Sequence, residues 1–82
     1  MTWAIAWSPA ALRDFYGVPS WTTAARIDEA LQRLAKTGEG DLRRVEIDGT
    51  LETRLLVPPY ALLVTRDRAR RTIVVWRIVR YA

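Results

Sequence analysis

The stretch VEIDGTLETRLLVPPYALLVTRDRARRTIVVWRIVRYA, Val45–Ala82, decides the fold. It is a series of apolar runs separated by turn signals, which is typical of a meander of β-strands. Asp48-Gly49 is a strong tight-turn signal. Pro58-Pro59 forces a second turn because proline cannot donate to a β-ladder, and the polar sequence RDRAR predicts a third. The predicted strands are Leu42–Ile47, Leu51–Val57, Tyr60–Thr65 and Thr72–Arg80.

The first half of the chain predicts one short strand and two helices. Residues 2–7 alternate between large and small side chains, as a strand does. Ser8 is suited to the N-cap and Pro9 to the first position of a helix that ends near Tyr16 at Gly17. A second helix is expected over 20–36, ended by TGEG. The expected buried stripes are Leu12, Phe15 and Tyr16 on the first helix and Ala24, Ile27, Leu31 and Leu34 on the second.

These elements predict an α+β fold in one domain, residues 1–82. The expected order is β-α-α-β-β-β, with an antiparallel sheet of about four strands. The two helices are close enough in sequence to form a helical hairpin, which we expect to pack on one face of the sheet. The other face is left partly open.

Alternation along the last strand predicts which of its faces is buried. Val74, Trp76 and Ile78 fall on one side, and Arg77 falls on the other. Because Arg77 prefers water, the Trp76 side is predicted to face the core. Arg80 then shares the core side, which requires that it lie at the end of the strand or after a bulge.

The composition restricts the chemistry that the chain performs. It has no histidine and no cysteine, so the usual acid/base near neutral pH, the thiolate nucleophile and the cysteine-type zinc site are excluded. No metal and no cofactor is expected. No apolar run approaches the roughly 18 residues needed to cross a bilayer, and we expect a soluble, cytoplasmic bacterial protein.

Charge is distributed unevenly along the chain. Its net charge is +4, but residues 1–53 carry six basic and eight acidic side chains, whereas residues 54–82 carry seven arginines and one acid. This asymmetry favours a polyanion or an acidic protein as the partner. Twelve of the 13 cations are arginine, which suits bidentate contact with phosphate or carboxylate. A GC-rich genome, which encodes arginine in place of lysine, is the alternative explanation of that ratio.

The order of elements and several local patterns resemble the RelE/ParE superfamily of bacterial type II toxins. IAWSPAALRDF is similar to the opening strand and helix of that family, and DGTLETRLLVPPYALLVT is similar to its central hairpin. ARIDEALQRLAKTGEGDLRRVE resembles the second helix with the loop after it, and IVVWRIVRY resembles the last strand. The chain departs from the family at Ala61, where an arginine is expected after Tyr60, and at Val64, where a second tyrosine is common.

The resemblance implies a toxin that a partner antitoxin holds inactive. Some members are metal-independent endoribonucleases that cut mRNA in the ribosomal A site, and others inhibit DNA gyrase without cutting anything. Carried over by position, Arg54 and Arg80 are the candidate catalytic cations, and Tyr81 is the candidate for proton transfer. We expect a ribosome-dependent endoribonuclease; the alternatives are a gyrase inhibitor and a non-toxic binding module of the same fold.

Each candidate residue also has a purely structural interpretation. Glu52 lies two residues before Arg54, on the same strand face, so the two side chains could form a solvent-facing ion pair worth roughly 0–1 kcal/mol. The other arginines could bind RNA phosphates or simply keep the strand edges and turns soluble. The candidate RNA-binding residues are Arg43, Arg44, Arg66, Arg68, Arg70 and Arg71. The arginines of the last three strands are expected to gather at one exposed surface.

Overall fold

The computed structural model describes residues 2–82 and has two helices and five strands. The elements are β1 (Ala4–Trp7), α1 (Pro9–Tyr16), α2 (Trp21–Thr37), β2 (Leu42–Ile47), β3 (Thr50–Val57), β4 (Tyr60–Asp67) and β5 (Thr72–Arg80). The predicted α+β class is confirmed, but the expected count of about four strands is one short, because all five predicted strand segments join the sheet. No helix within residues 2–82 is long and apolar enough to span a membrane.

The strands lie in the order β1-β5-β4-β3-β2. β2 to β5 form the predicted antiparallel meander. β1 pairs in parallel with the first half of β5, so the sheet is not wholly antiparallel. The connection from β1 to the meander runs through both helices. Parallel strands need such a long crossover because a tight turn cannot join them.

Both helices pack on one face of the sheet, and the core lies between the two layers. On α2 three of the four predicted residues, Ile27, Leu31 and Leu34, are buried, and Ala24 is only partly buried. On α1 the prediction is partly wrong: Phe15 packs against the core, but Leu12 and Tyr16 are exposed. Ala11 is the buried residue of α1 instead, because this short helix lies along β5 and turns only its Ala11 side to the core. The face of the sheet that carries no helix is called the open face below.

A β-bulge in β5 overturns the predicted core face in the first part of that strand, whereas Ile78 is buried as predicted. Val64 is opposite Val75 whereas Leu63 is opposite Arg77, so Trp76 is an extra residue without a partner on β4. The bulge resets the alternation. The buried residues of β5 are Ile73, Val75 and Ile78. Trp76 is 49% exposed, and its predicted place in the core is wrong.

Ser8 ties the start of α1 to this bulge. Its Oγ accepts a hydrogen bond from the Ala11 amide at 3.0 Å, which confirms the predicted N-cap, and donates to the Trp76 carbonyl at 2.7 Å. The Ser8 amide also donates to the Val75 carbonyl at 2.9 Å. One hydroxyl thus bonds both an amide in the first turn of α1, which has no partner within the helix, and a carbonyl of β5.

We expect Ser8→Ala to lower the free energy of unfolding by about 1–2 kcal/mol, because both bonds of the hydroxyl are lost. Urea unfolding followed by circular dichroism measures the loss. Ser20→Ala is the matched control, since Ser20 caps α2 through a single bond of 3.3 Å from the Thr23 amide. Equal losses in the two variants would contradict a role for Ser8 beyond capping.

Candidate nucleic-acid interface

A row of arginines crosses the open face. In the register of the sheet Arg43 of β2 lies opposite Arg54 of β3, Arg54 lies opposite Leu63 of β4, and Leu63 lies opposite Arg77 of β5. Directly opposed like charges destabilise a sheet. Arg43 and Arg54 therefore repel each other, and a bound anion would offset this repulsion. The pair suits a surface that binds anions.

Arg54 is the least exposed member of this row. Its side chain is 26% exposed, and one Nη lies 3.4 Å from Oε2 of Glu52. The expected pairing of Glu52 with Arg54 is confirmed, although the contact is long. Nε of Arg54 is buried and has no hydrogen-bond partner within residues 2–82. The guanidinium thus keeps donor capacity that residues 2–82 do not use.

Arg43 and Tyr81 lie towards the same side of this surface. Nε of Arg43 donates to Oδ1 of Asp41 at 2.9 Å. That hydrogen bond and the Asp41 charge raise the pKa of Arg43, and Tyr81 adds a smaller effect. Tyr81 follows β5 and its amide donates to the Pro59 carbonyl at 3.0 Å, which holds the half-exposed phenol beside the end of the sheet.

Arg77 is held by α1. Its Nε donates to Oδ2 of Asp14 at 2.7 Å and one Nη donates to Oδ1 at 3.1 Å. Asp14 Oδ2 also accepts the amide of Ile78 at 2.9 Å. β5 extends beyond the end of β1 at this point, and the carboxylate replaces the missing strand neighbour. The hydrogen bond from Arg77 is the main cause that lowers the pKa of Asp14, and the Ile78 amide lowers it further.

The predicted catalytic residues do not all share one face. Arg54 belongs to the open face and Tyr81 follows the end of β5, but Arg80 lies opposite Tyr60 on the helix side of the sheet. It is the last residue of β5, and its Nε donates to the Ala82 carbonyl at 2.9 Å. Alternation puts Arg80 on the same side as Ile78, as predicted, and Arg80 lies at the end of the strand.

The predicted RNA-binding arginines are also divided. Arg43 is on the open face, whereas Arg44 pairs with Thr53 on the helix side. Arg66 lies on the helix side in the register and lines both a depression that includes Trp3 and the gap between β3 and β4. Arg68, Arg70 and Arg71 lie at the β4–β5 turn, where Asp67 accepts the Arg70 amide at 3.1 Å. The expectation of one shared arginine surface is therefore wrong; alternation and the turn separate the arginines.

A groove of about 400 Å³ opens where β3 and β4 diverge. Their pairing ends at Thr53 and Val64, although both strands continue. Trp76 lines the groove, and its Nε1 donates to Oγ1 of Thr65 at 2.9 Å. Glu52 lines the groove and also contacts Arg54, so the groove lies next to this arginine. Trp76 was predicted to lie in the core because alternation along β5 does not show the bulge, which turns the indole outwards.

No protein-family model and no curated protein sequence matches the chain. Solved structures do match it. A chain of the toxin-antitoxin complex RelBE2 from Mycobacterium tuberculosis has a TM-score of 0.78 at 19% identity, over 98% of this chain and 99% of that one. A chain of the archaeal RelE-RelB complex from Pyrococcus horikoshii has a TM-score of 0.79 at 14% identity, over 100% and 98%. In the RelB-RelE complex from Methanococcus jannaschii the values are 0.68 and 18%, over 92% and 88%. The chain therefore has the fold of the RelE toxins.

Proposed function

We propose that this chain is the toxin of a type II toxin-antitoxin pair and that it cleaves mRNA on the ribosome. The observation that carries the proposal is the opposition of Arg43 and Arg54 on the open face of a RelE fold. Two guanidinium groups across one strand pair suit consecutive phosphates of a single strand. The overall excess of positive charge supports binding to a polyanion.

The proposed chemistry is attack of a ribose 2′-hydroxyl on the adjacent phosphate, which breaks the bond from phosphorus to the 5′-oxygen of the next nucleotide and gives a 2′,3′-cyclic phosphate. The 2′-hydroxyl loses its proton, and the departing 5′-oxygen takes one up. Negative charge then collects on the phosphoryl oxygens, and preorganised cations aimed at them stabilise the transition state. Arg54 is the proposed catalytic cation, since its guanidinium is held beside Glu52 and its side chain is 26% exposed on the open face. Tyr81 is the proposed proton-transfer group, and Arg43 binds a neighbouring phosphate. Arg80, on the helix side of the sheet, is assigned to the phosphate backbone at the rim.

The proposed partner is an acidic antitoxin that covers the open face. The matched structures are complexes with RelB proteins. In this chain, Arg43 lies opposite Arg54 and interacts electrostatically with the half-exposed Tyr81, and such a surface suits a segment that carries both acidic and apolar side chains. Covering these residues is the proposed means of inhibition.

Induced expression in a bacterial host tests the proposal. We expect growth and incorporation of labelled amino acids to stop soon after induction, with mRNA cut within ribosome-covered regions as mapped by primer extension. Co-expression of the protein encoded by the neighbouring gene should restore growth. Continued translation with intact mRNA would contradict the ribonuclease, and unimpaired growth would leave only the non-toxic binding module.

The second candidate is a gyrase inhibitor, favoured by one position. Ala61 is buried on β4 between Leu56 and Val79, where ribonuclease members of the family that the sequence resembles carry an arginine. The open face therefore has one cation fewer than those members. Filamentation and an SOS response, with translation unaffected at first, would identify this activity in the same induced culture.

A further inference from the structure

The outer edge of β2 has a defined set of unpaired backbone groups. β2 is the last strand of the sheet. Asp48 and Gly49, with φ of 50° and 78°, form a two-residue turn of the type that closes on a hydrogen-bonded pair. That pair is Ile47 and Thr50, so alternation directs the backbone of Val45 to β3 and the backbone of Arg44 and Glu46 outwards.

The side chains along this edge carry a short pattern of opposite charges. Arg44 and Glu46 are both exposed and lie two residues apart on the helix side of β2. Their neighbours across β3 are Thr53 and Leu51, which carry no charge. Within residues 2–82, neither Arg44 nor Glu46 forms an ion pair. Helix α2 packs on β1 and β3 and does not cover these two side chains.

We propose that this edge pairs antiparallel with β2 of a second copy of the chain, about a two-fold axis at Val45. In that register Arg44 lies opposite Glu46 of the second copy, and Glu46 lies opposite Arg44. Arg44 and Glu46 are also the residues whose amides and carbonyls point outwards, so each pair closes two backbone hydrogen bonds. The two five-stranded sheets then form one continuous sheet.

The charges of Arg44 and Glu46 favour both this register and a second copy of the chain as the partner. A shift by two residues in one direction sets Arg44 against Arg44, and a shift in the other sets Glu46 against Glu46, each across the two-fold axis. A shift by one residue turns the core face of one copy to the open side of the other. The edge supplies both charges in the symmetric order that a two-fold interface requires. It is short, so the dimer is weak and depends on concentration.

Charge-reversal variants test the pairing in sedimentation equilibrium over a series of concentrations. Arg44→Glu and Glu46→Arg each turn both cross-strand pairs into like charges, and we expect each to raise the dimer Kd about tenfold or more. An equimolar mixture of the two variants, and the double variant with both changes, restore opposite charges and should recover dimers. Arg70→Glu, at the β4–β5 turn and away from β2, is the control that leaves the dimer unchanged.

A single introduced cysteine tests the register itself. Val45 faces Val45 of the second copy as a pair without backbone hydrogen bonds, where side chains are closest. The chain has no native cysteine, so Val45→Cys should form a disulfide-linked dimer on mild oxidation, while Ile47→Cys, four residues from its equivalent in this register, should not. A wild-type chain that is monomeric at every soluble concentration would overturn the proposal, even if an antitoxin strand occupies the edge. So would variants that dimerise equally, or a mixture that does not recover.

Discussion

Arg54→Ala is expected to lower the rate of mRNA cleavage about 10²–10³-fold, which is the loss typical of removing one preorganised donor from a transition-state site. The guanidinium is fixed between Glu52 and the sheet, with 26% of the side chain exposed, so it needs no reordering when charge develops on the phosphate. Arg54→Lys keeps the charge but loses the planar fork, so its rate should lie between the rates of the wild type and of Arg54→Ala. Purified ribosomes programmed with a defined mRNA provide the measurement.

The controls separate catalysis from charge and from folding. Arg33→Ala removes an arginine from the exposed side of α2, where it pairs with Glu39, and should cleave at the wild-type rate. Arg54→Ala removes a buried Nε that has no partner within residues 2–82 and a long contact to Glu52, which is 33% exposed and can be hydrated, so its fold should persist by circular dichroism. Arg80→Ala should have a smaller effect than Arg54→Ala, because Arg80 lies on the helix side. Full activity of folded Arg54→Ala would remove Arg54 from the site.

Local chemistry made most of the elements predictable. Ser8 and Pro9 start α1, Gly38 ends α2 with φ of 74°, and Asp48-Gly49 forms the tight turn, each through contacts made within a few residues. The periodicity of α2 identified its buried face because that helix is long enough to repeat the pattern. α1 has eight residues, and its apolar side chains outnumber the places in the core that it reaches.

The arrangement of the site depends on contacts between distant residues. The bulge at Trp76 is held by Ser8 and Asp14, which are separated from their β5 partners by 68 and 64 positions, so no local pattern reports it. The bulge at Trp76 precedes both Arg77 and Arg80 and does not change their relative sides. Arg80 shares the side of Ile78, as alternation predicts, and stays exposed because it is the last residue of the strand. The position of Arg43 opposite Arg54 on the open face could not be predicted either, because it depends on the register of β2 against β3.

Asp14→Ala is expected to lower the free energy of unfolding by about 2–4 kcal/mol, because a carboxylate that accepts charged and backbone donors is lost and the Ile78 amide is left without a partner. The Asp14 side chain is 20% exposed and receives three hydrogen bonds, two of them from Arg77. Arg77 is 53% exposed and regains water, which limits the loss. Asp28→Ala, an exposed carboxylate on α2, is the control and should change stability by less than about 0.5 kcal/mol.

The same carboxylate predicts a dependence of stability on pH. The hydrogen bond from Arg77 holds the pKa of Asp14 in the folded chain below its ordinary value of 3.8. Protonation therefore favours the unfolded chain, so the contribution of Asp14 is complete above that ordinary value and is lost as pH falls through the lower, folded value. Urea unfolding of the wild type and of Asp14→Asn between pH 7 and pH 2 measures the difference. The gap in stability should be constant down to about pH 5 and shrink below about pH 4, and a gap that stays constant throughout would show that the carboxylate charge does not hold β5 to α1.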